Sequence, residues 1–120
     1  MLSNLFLGKE RQMVKMYDIE SIQSLYANHA VEYSQHFRSR MKDRNIKFAD
    51  VRMAIQRGEI IEHDLTDIPN PSVLILGYTR DNKPLHVAVG IDDAKLVLIT
   101  TYFPALTLWE DDYKTRKVVD

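Results

Sequence analysis

The second half of the chain carries four strand patterns separated by turn-forming residues, and this feature constrains the fold most. The strand segments are EIIEHDL, VLILGYT, LHVAVGI and LVLITTYF. Between them lie DIPNPS, RDNKP and DDAK, which are rich in the Pro, Asn and Asp of tight turns. Strands joined by such short turns usually pair with their neighbours in sequence. The pattern therefore predicts a four-stranded antiparallel meander.

The first half of the chain has helical spacing instead of alternation. Asp18 is a favourable N-cap residue. The residues after it recur close to the helical period, at Ile19, Ile22, Tyr26, Ala30 and Tyr33. This spacing predicts a first helix that starts after Asp18 and continues as far as Tyr33. We treat residues 1–17 as an N-terminal arm and residues 18–120 as a single domain.

Two shorter helices are predicted before the strands begin. Ser34 should cap a helix that ends at Arg44, and Asn45 suits the left-handed position beyond it. A third helix is predicted over about residues 48–57, and Gly58 is its natural stop. Helices followed by an antiparallel meander predict an α+β fold in which the N-terminal helices cover one face of the sheet.

Composition excludes several classes of protein. The 120 residues are 45% hydrophobic and 28% charged, values typical of a folded domain, and the formal net charge is −1. The absence of cysteine excludes disulfides, thiolate catalysis and cysteine-bound zinc. No apolar run approaches the ~20 residues that span a bilayer, and the opening MLSNLFLG lacks the basic region of a signal peptide. We therefore expect a cytoplasmic protein.

Positive charge is concentrated in the helical half, around the segment HFRSRMKDRN. Residues i, i+4 and i+8 of a helix lie roughly in line, so His36, Arg40 and Arg44 would form one stripe. Between residues 32 and 57 seven basic residues, Lys47 among them, face only three acids. Such a stripe is either a solvated, salt-bridged helix face or a surface that binds phosphate, and charge alone leaves both interpretations open.

Sequence motifs for metal or nucleotide binding are absent. The four histidines show no HxxxH or HExxH spacing, the four glycines are scattered, and no serine lies in GxSxG. We therefore predict neither a metal nor another cofactor. The remaining groups suit metal-free cleavage of RNA, which needs help for the attacking 2′-hydroxyl, cations for the phosphate and a donor for the leaving oxygen.

The other candidate groups lie on two strands and near the C-terminus. His86 alternates with the apolar residues of its strand, so it should point to the sheet face away from the helices. Tyr102 ends the last strand, and Trp109 could stack a base beside the cations Arg116 and Lys117. Each residue also has a structural interpretation, as a packed ring or as a member of a hydrogen-bonded network.

The order of these segments resembles the domain-of-unknown-function 4258 family. HFRSRMKDRNI, DVRMAIQRGEIIE, PNPSVLILGY, PLHVAV, LITTYFP, a tryptophan and YKTRK follow one another over about residues 34–117. The resemblance implies a compact α+β domain like those of the RelE and barnase–colicin groups of bacterial ribonuclease toxins, some of them encoded beside an antitoxin. The motif positions that it implies as functional are His36, Arg40, Arg44, His86, Tyr102 and Arg116.

The sequence and the resemblance together favour a metal-independent ribonuclease of the toxin–antitoxin type. We expect its catalytic residues to be His36 and His86, as general base and acid, with Arg40 and Tyr102. The residues expected to bind RNA are Arg44, Lys47, Trp109, Arg116 and Lys117. The alternative is a non-catalytic protein-interaction module. The expected partners are RNA, a cognate antitoxin and, through the N-terminal helix, a second copy of the chain, but no membrane.

Overall fold

The structure is a computed structural model that describes residues 18–66 and 70–118. The predicted arm at residues 1–17 and part of the predicted turn at residues 67–69 lie outside the described residues. The elements of the described parts are α1 (Ile19–Ala27), β1 (Val31–Tyr33), α2 (Gln35–Arg44), α3 (Phe48–Arg57), β2 (Glu59–Asp64), β3 (Ser72–Tyr78), β4 (Pro84–Asp92) and β5 (Lys95–Tyr102).

These strands form one mixed sheet in the order β1-β5-β4-β3-β2. The strands β2 to β5 are antiparallel neighbours, as the meander requires, and the predicted α+β class is confirmed. The predicted number of four strands is wrong. A fifth strand, β1, pairs in parallel with the outer edge of β5 from Val31 opposite Leu96 to Tyr33 opposite Leu98.

The extra strand lies where the first predicted helix was too long. Helix α1 ends at Ala27, and its C-cap residue Asn28 donates its backbone N–H to the carbonyl of Ser24. His29 then takes a left-handed conformation, with φ of 61°, which turns the chain out of the helix. Only three residues are left to pair with β5, and a strand this short has too little alternation to distinguish it from a continued helix.

The predicted ends of α2 and α3 are confirmed, and local contacts explain the ends of α2. The Ser34 hydroxyl accepts a hydrogen bond from the Phe37 N–H at 3.0 Å, as an N-cap does. Asn45 adopts the left-handed conformation, with φ of 55° and ψ of 43°, and its N–H satisfies carbonyls of the last turn. Helix α3 runs from Phe48 to Arg57 and ends at Gly58.

The three helices cover one face of the sheet and form the core there. Alternate residues of β3, β4 and β5 point into this core, and their neighbours point to the opposite face. The fully buried core residues include Ile22, Phe37, Val51, Ile55, Val87 and Leu98. Among the described residues, no helix is long and apolar enough to cross a membrane.

The opposite face of the sheet is partly covered by the residues after β5, which we call the tail (residues 103–118). The tail consists of turns and one isolated bridge between Trp109 and Arg116. It is attached to β2 by ion pairs, one of which joins Lys114 Nζ to Glu59 Oε1 at 2.7 Å. The tail and the open face of the sheet together enclose the side chains described next.

Candidate active site

His86 lies at the centre of the open face, beneath the tail, and is fully buried. Its Nε2 is 2.7 Å from the backbone carbonyl oxygen of Tyr113, and its Nδ1 is 3.2 Å from the Tyr102 hydroxyl. A carbonyl only accepts hydrogen bonds, so Nε2 carries the proton, and in the neutral ring Nδ1 accepts from Tyr102. Burial lowers the pKa of His86, although the Tyr113 carbonyl opposes this shift. The neutral imidazole is therefore the favoured form.

Tyr102 connects this histidine to two arginines. Burial raises the pKa of the Tyr102 hydroxyl above its ordinary value; the charge of Glu62 adds to this shift, whereas the charges of Arg116 and Arg44 oppose it. Arg44 reaches the sheet from the last turn of α2, where its Nη1 donates to the Thr101 carbonyl at 2.7 Å. This carbonyl lies beyond the end of the short strand β1, so the outer edge of β5 is accessible to Arg44 there. The Tyr102 hydroxyl is therefore hydrogen-bonded to a neutral base, and its pKa is affected by two guanidinium groups.

Trp109 and Arg116 close the cluster on the side of the tail. The indole ring of Trp109 lies edge-on to the His86 ring, with centroids 4.5 Å apart. The Arg116 guanidinium stacks over the same indole, 4.6 Å from its centroid. Arg116 also forms a two-point ion pair with Glu62, with Nε to Oε2 at 2.7 Å and Nη2 to Oε1 at 3.0 Å. These contacts fix the guanidinium, and within residues 18–66 and 70–118 its Nη1 has no hydrogen-bond partner.

A short turn of the tail places the carbonyl that holds His86. The Asp112 carboxylate accepts the N–H groups of Lys114 and Thr115 at 2.8 and 3.0 Å and the Thr115 hydroxyl at 2.8 Å. Tyr113, within this turn, takes a left-handed conformation with φ of 60°. Its carbonyl is thereby directed at His86, so Tyr113 contributes to the cluster through its backbone.

An open groove of about 210 Å³ lies beside this cluster on the sheet face. Tyr102 and Arg116 stand at the groove, and its other lining residues are Glu62, His63, Asp64, Ser72, Val73, Leu74, Ala88 and Thr100. Within the described residues, no group of three or more His, Asp or Glu side chains could hold a metal ion. The groove therefore offers hydroxyl, carboxylate and guanidinium groups around an apolar floor.

The structure brings together five of the predicted site residues: Arg44, His86, Tyr102, Trp109 and Arg116. The other four do not contact this cluster in the described part of the chain. His36 is exposed, Arg40 lies 3.8 Å from Asp43, Lys47 is exposed at the start of α3, and Lys117 is exposed near the end of the tail.

Helix geometry explains why only Arg44 of the predicted stripe reaches the cluster. Phe37 and Met41 of α2 pack into the helix-covered core, whereas His86 points to the opposite face of the sheet. The eight residue-to-residue steps from His36 to Arg44 span about 12 Å of helix axis, so only the C-terminal end of α2 reaches the end of β5. The role of Trp109 as a stacking surface for a base stays a prediction. The residue is 2% exposed and lies beneath Arg116, so a base would first have to displace the Arg116 guanidinium.

Two members of the cluster were not predicted from the sequence. Glu62 lies on the open face of β2, opposite Leu74, where it holds Arg116. Strict alternation along EIIEHDL would place Glu62 on the same face as Ile60, which packs against the core. A register irregularity between Ile60 and Glu62 turns Glu62 to the open face instead, and no signal in the sequence indicates it. Tyr113 acts through its backbone carbonyl, and no pattern of side chains indicates such a role.

The lowered pKa of His86 predicts that stability depends on pH. An unfolded histidine has a pKa near 6.5, whereas folded His86 stays neutral to lower pH. As the pH falls from 6.5 towards the folded pKa, the unfolded chain binds the proton more readily, so this contribution to stability is lost. Urea unfolding should show the parent to be more stable at pH 7.5 than at pH 5.5.

A His86→Gln variant provides the comparison for this pH dependence. Its difference in stability between the two pH values should be smaller than that of the parent. The lowered pKa values of Asp50 and Asp112 affect stability only at more acidic pH, because their ordinary value is already 3.8. An equal pH difference in parent and variant would contradict the assignment to His86.

The comparison with protein families identifies the domain. Residues 33–103 match the profile of the family described as Domain of unknown function (DUF4258), which is more than half of the chain. The chain therefore belongs to this family. The match includes Arg44, His86 and Tyr102, whereas Trp109 and Arg116 of the tail lie beyond it. Comparison with curated proteins and with solved structures finds no match.

Proposed function

We propose that the domain is a metal-independent ribonuclease of the RelE and barnase–colicin toxin type, with Tyr102 and His86 at its centre. One observation carries this proposal. The Tyr102 hydroxyl is hydrogen-bonded to a buried histidine, Arg116 lines the same groove, and Arg44 is bonded to the carbonyl of the neighbouring Thr101. This arrangement joins a base to the cations that a phosphodiester transition state requires.

The proposed reaction forms one bond and breaks another at phosphorus. The 2′-oxygen of the ribose attacks the adjacent phosphorus atom, and Tyr102 takes the 2′-hydroxyl proton while its own proton passes to Nδ1 of His86. Arg44 and Arg116 stabilise the charge on the phosphate oxygens through the guanidinium N–H groups that have no partner among the described residues. The bond to the 5′-oxygen breaks, and this oxygen takes a proton from a water molecule. That water recovers a proton from the protonated His86, which returns the histidine to its neutral form. The products carry a 2′,3′-cyclic phosphate and a 5′-hydroxyl.

A second function is favoured by the same contacts. Arg116 is already paired with Glu62, Arg44 is bonded to a carbonyl, and both ring nitrogens of His86 have partners. A network satisfied in this way also suits a non-catalytic protein-interaction module that binds an antitoxin-like partner. Such a module needs no access to His86, which is fully buried.

Cleavage of a labelled RNA in EDTA distinguishes the two functions. The parent should cleave it and yield cyclic phosphate ends, whereas Tyr102→Phe, which loses only the hydroxyl, should cleave at least about 100-fold more slowly. Tyr113→Phe is the matched control, because Tyr113 supplies a backbone carbonyl that the substitution keeps. Circular dichroism should show that both variants are folded.

Two results would reject the ribonuclease. The first is a parent that does not cleave any of a set of RNAs covering the four bases, which would leave the interaction module. The second is a folded Tyr102→Phe variant that cleaves as fast as the parent. An RNA with 2′-deoxyribose at the cleaved position should resist cleavage, because it lacks the attacking hydroxyl.

A further inference from the structure

A second surface, on the helical side of the domain, combines exposed aromatic rings with cations. We call it the aromatic platform and define it by Tyr33, Arg38, Phe48 and Arg52. The ring of Phe48 meets the Tyr33 ring edge-on, with centroids 5.3 Å apart. The Arg38 guanidinium lies 5.4 Å from the centroid of the same tyrosine. Phe48 and Arg52 are four residues apart on α3 and so share one face of the helix.

The platform is held in place from below while its outer part faces solvent. The hydroxyl groups of Tyr33 and buried Tyr26 are 2.7 Å apart, and the Tyr33 ring also packs 5.9 Å from Phe37 of the core. Phe48, by contrast, is 51% exposed. A large apolar ring this exposed on a fixed support is available to stack on a flat ligand.

The charge around the platform is positive. Helices α2 and α3 contain six basic residues and two acidic ones, Asp43 and Asp50. Asp43 is paired with Arg40, and Asp50 is paired with Arg80. In the described part of the chain, Arg38 and Arg52 form no ion pair with a carboxylate. Arg38, over the Tyr33 ring, and Arg52, on the same helix face as Phe48, therefore have no neutralising acid among the described residues.

We infer that the aromatic platform is a binding site for single-stranded RNA, separate from the Tyr102 site. One base would stack on Phe48, and Arg38 and Arg52 would contact the phosphates on either side. An exposed aromatic ring beside cations that have no carboxylate partner in the described residues fits a stacked base and its phosphates better than it fits an apolar peptide.

The inference deepens the proposed function, because it rests on RNA being the substrate. Phe48 follows Arg44 by four residues, so their Cα atoms are at most about 14 Å apart. Arg44 in turn is bonded to the carbonyl of Thr101, the residue before Tyr102. One RNA strand could therefore occupy the platform while an adjacent part of it reaches the reacting groups. The platform would hold longer substrates, and the chemistry would remain at Tyr102.

Fluorescence anisotropy with a labelled, single-stranded 2′-O-methyl 12-mer tests the platform without cleavage. Phe48→Ala should weaken binding about 5- to 150-fold, the range for one stacked base. Leu65→Ala is the matched control, because Leu65 is a large exposed residue, 66% accessible, on the turn after β2. Arg38→Gln and Arg52→Gln should each reduce the slope of log affinity against log salt by about 0.7.

The results separate this inference from the ribonuclease itself. Phe48→Ala should cleave a dinucleotide as fast as the parent, and Tyr102→Phe should bind the 12-mer as tightly as the parent. A parent that binds but cleaves no RNA would reject the ribonuclease and support the platform. Equal affinities for folded Phe48→Ala and Leu65→Ala would overturn the platform. A parent that does not bind the 12-mer would also overturn the platform. That result would favour a protein partner on this surface.

Discussion

Gly77→Ala is expected to lower the free energy of unfolding by about 3 kcal/mol or more. Gly77 lies on the helix-covered face of β3, directly against α3. A Cβ atom at this position would overlap the backbone of Ala54, its Cα and carbonyl oxygen, and would come within 2.6 Å of the Ala54 side chain. Backbone atoms cannot rotate away, so the helix and the strand would have to separate. That separation would loosen the core around Val51 and Ile55.

The prediction has a matched control on the neighbouring strand. Gly90→Ala introduces the same methyl group on β4, where the closest atoms are the Pro71 carbonyl oxygen at 3.4 Å and Ile99 Cδ1 at 3.5 Å. This is ordinary contact, so the cost should stay below about 1 kcal/mol. Urea unfolding followed by far-ultraviolet circular dichroism would compare both variants with the parent. A loss at Gly77 no larger than that at Gly90 would refute the close approach of α3 and β3.

Gly58 is a second position where α3 approaches the sheet closely, and the prediction that it ends the helix was right for an incomplete reason. Gly58 was predicted to stop α3, and it does, but its φ of −88° is one that any residue can adopt. What excludes a side chain there is space, since a Cβ atom would overlap the Ala54 carbonyl oxygen and approach the Leu76 oxygen to 2.7 Å. Because Gly58 and Gly77 have no side chains, the turn of α3 that contains Ala54 packs directly against the sheet. A helix-end signal does not include this tertiary contact.

Local signals predicted the elements, whereas contacts distant in sequence determined the site. Caps at Ser34 and Asn45 define α2 because their hydrogen bonds span only a few residues. Strand alternation likewise placed His86 on the face away from the helices. The two ring partners of His86 are 16 and 27 residues away, in β5 and in the tail. Spacing within one segment carries no information on such contacts.

The stripe on α2 illustrates the same limit of local reasoning. Helical periodicity correctly aligned His36, Arg40 and Arg44 on one helix, but it gives no position relative to the sheet. The end of β1 after Tyr33 leaves the edge of β5 uncovered near Thr101, and only Arg44 is close enough to bond there. A three-residue strand that the sequence did not reveal therefore decides which cation of the stripe is bonded beside Tyr102.

Trp109→Ala should destabilise the domain by about 3–5 kcal/mol, the usual cost of removing a buried tryptophan. Trp109 is 2% exposed and lies between the His86 ring and the Arg116 guanidinium. Its loss would leave a cavity between the tail and the sheet. The tail would then be held by the hydrogen bond between His86 and the Tyr113 carbonyl and by the ion pairs of Glu59 and Glu62. Each of these contacts contributes only about 1 kcal/mol, less than the packing of the indole ring.

The neighbouring residue supplies the control for the tryptophan. Leu108 is 61% exposed, so Leu108→Ala should change the free energy of unfolding by less than about 0.5 kcal/mol. Urea unfolding is best followed by circular dichroism, because the chain has a single tryptophan and the variant loses its fluorescence. A loss below about 1 kcal/mol for Trp109→Ala would show that the tail does not pack as described. The pH dependence assigned to His86 is a second readout for the same variant. Once the tail loosens, water reaches the imidazole and the pKa of His86 returns towards 6.5. The difference in stability between pH 7.5 and pH 5.5 should therefore shrink.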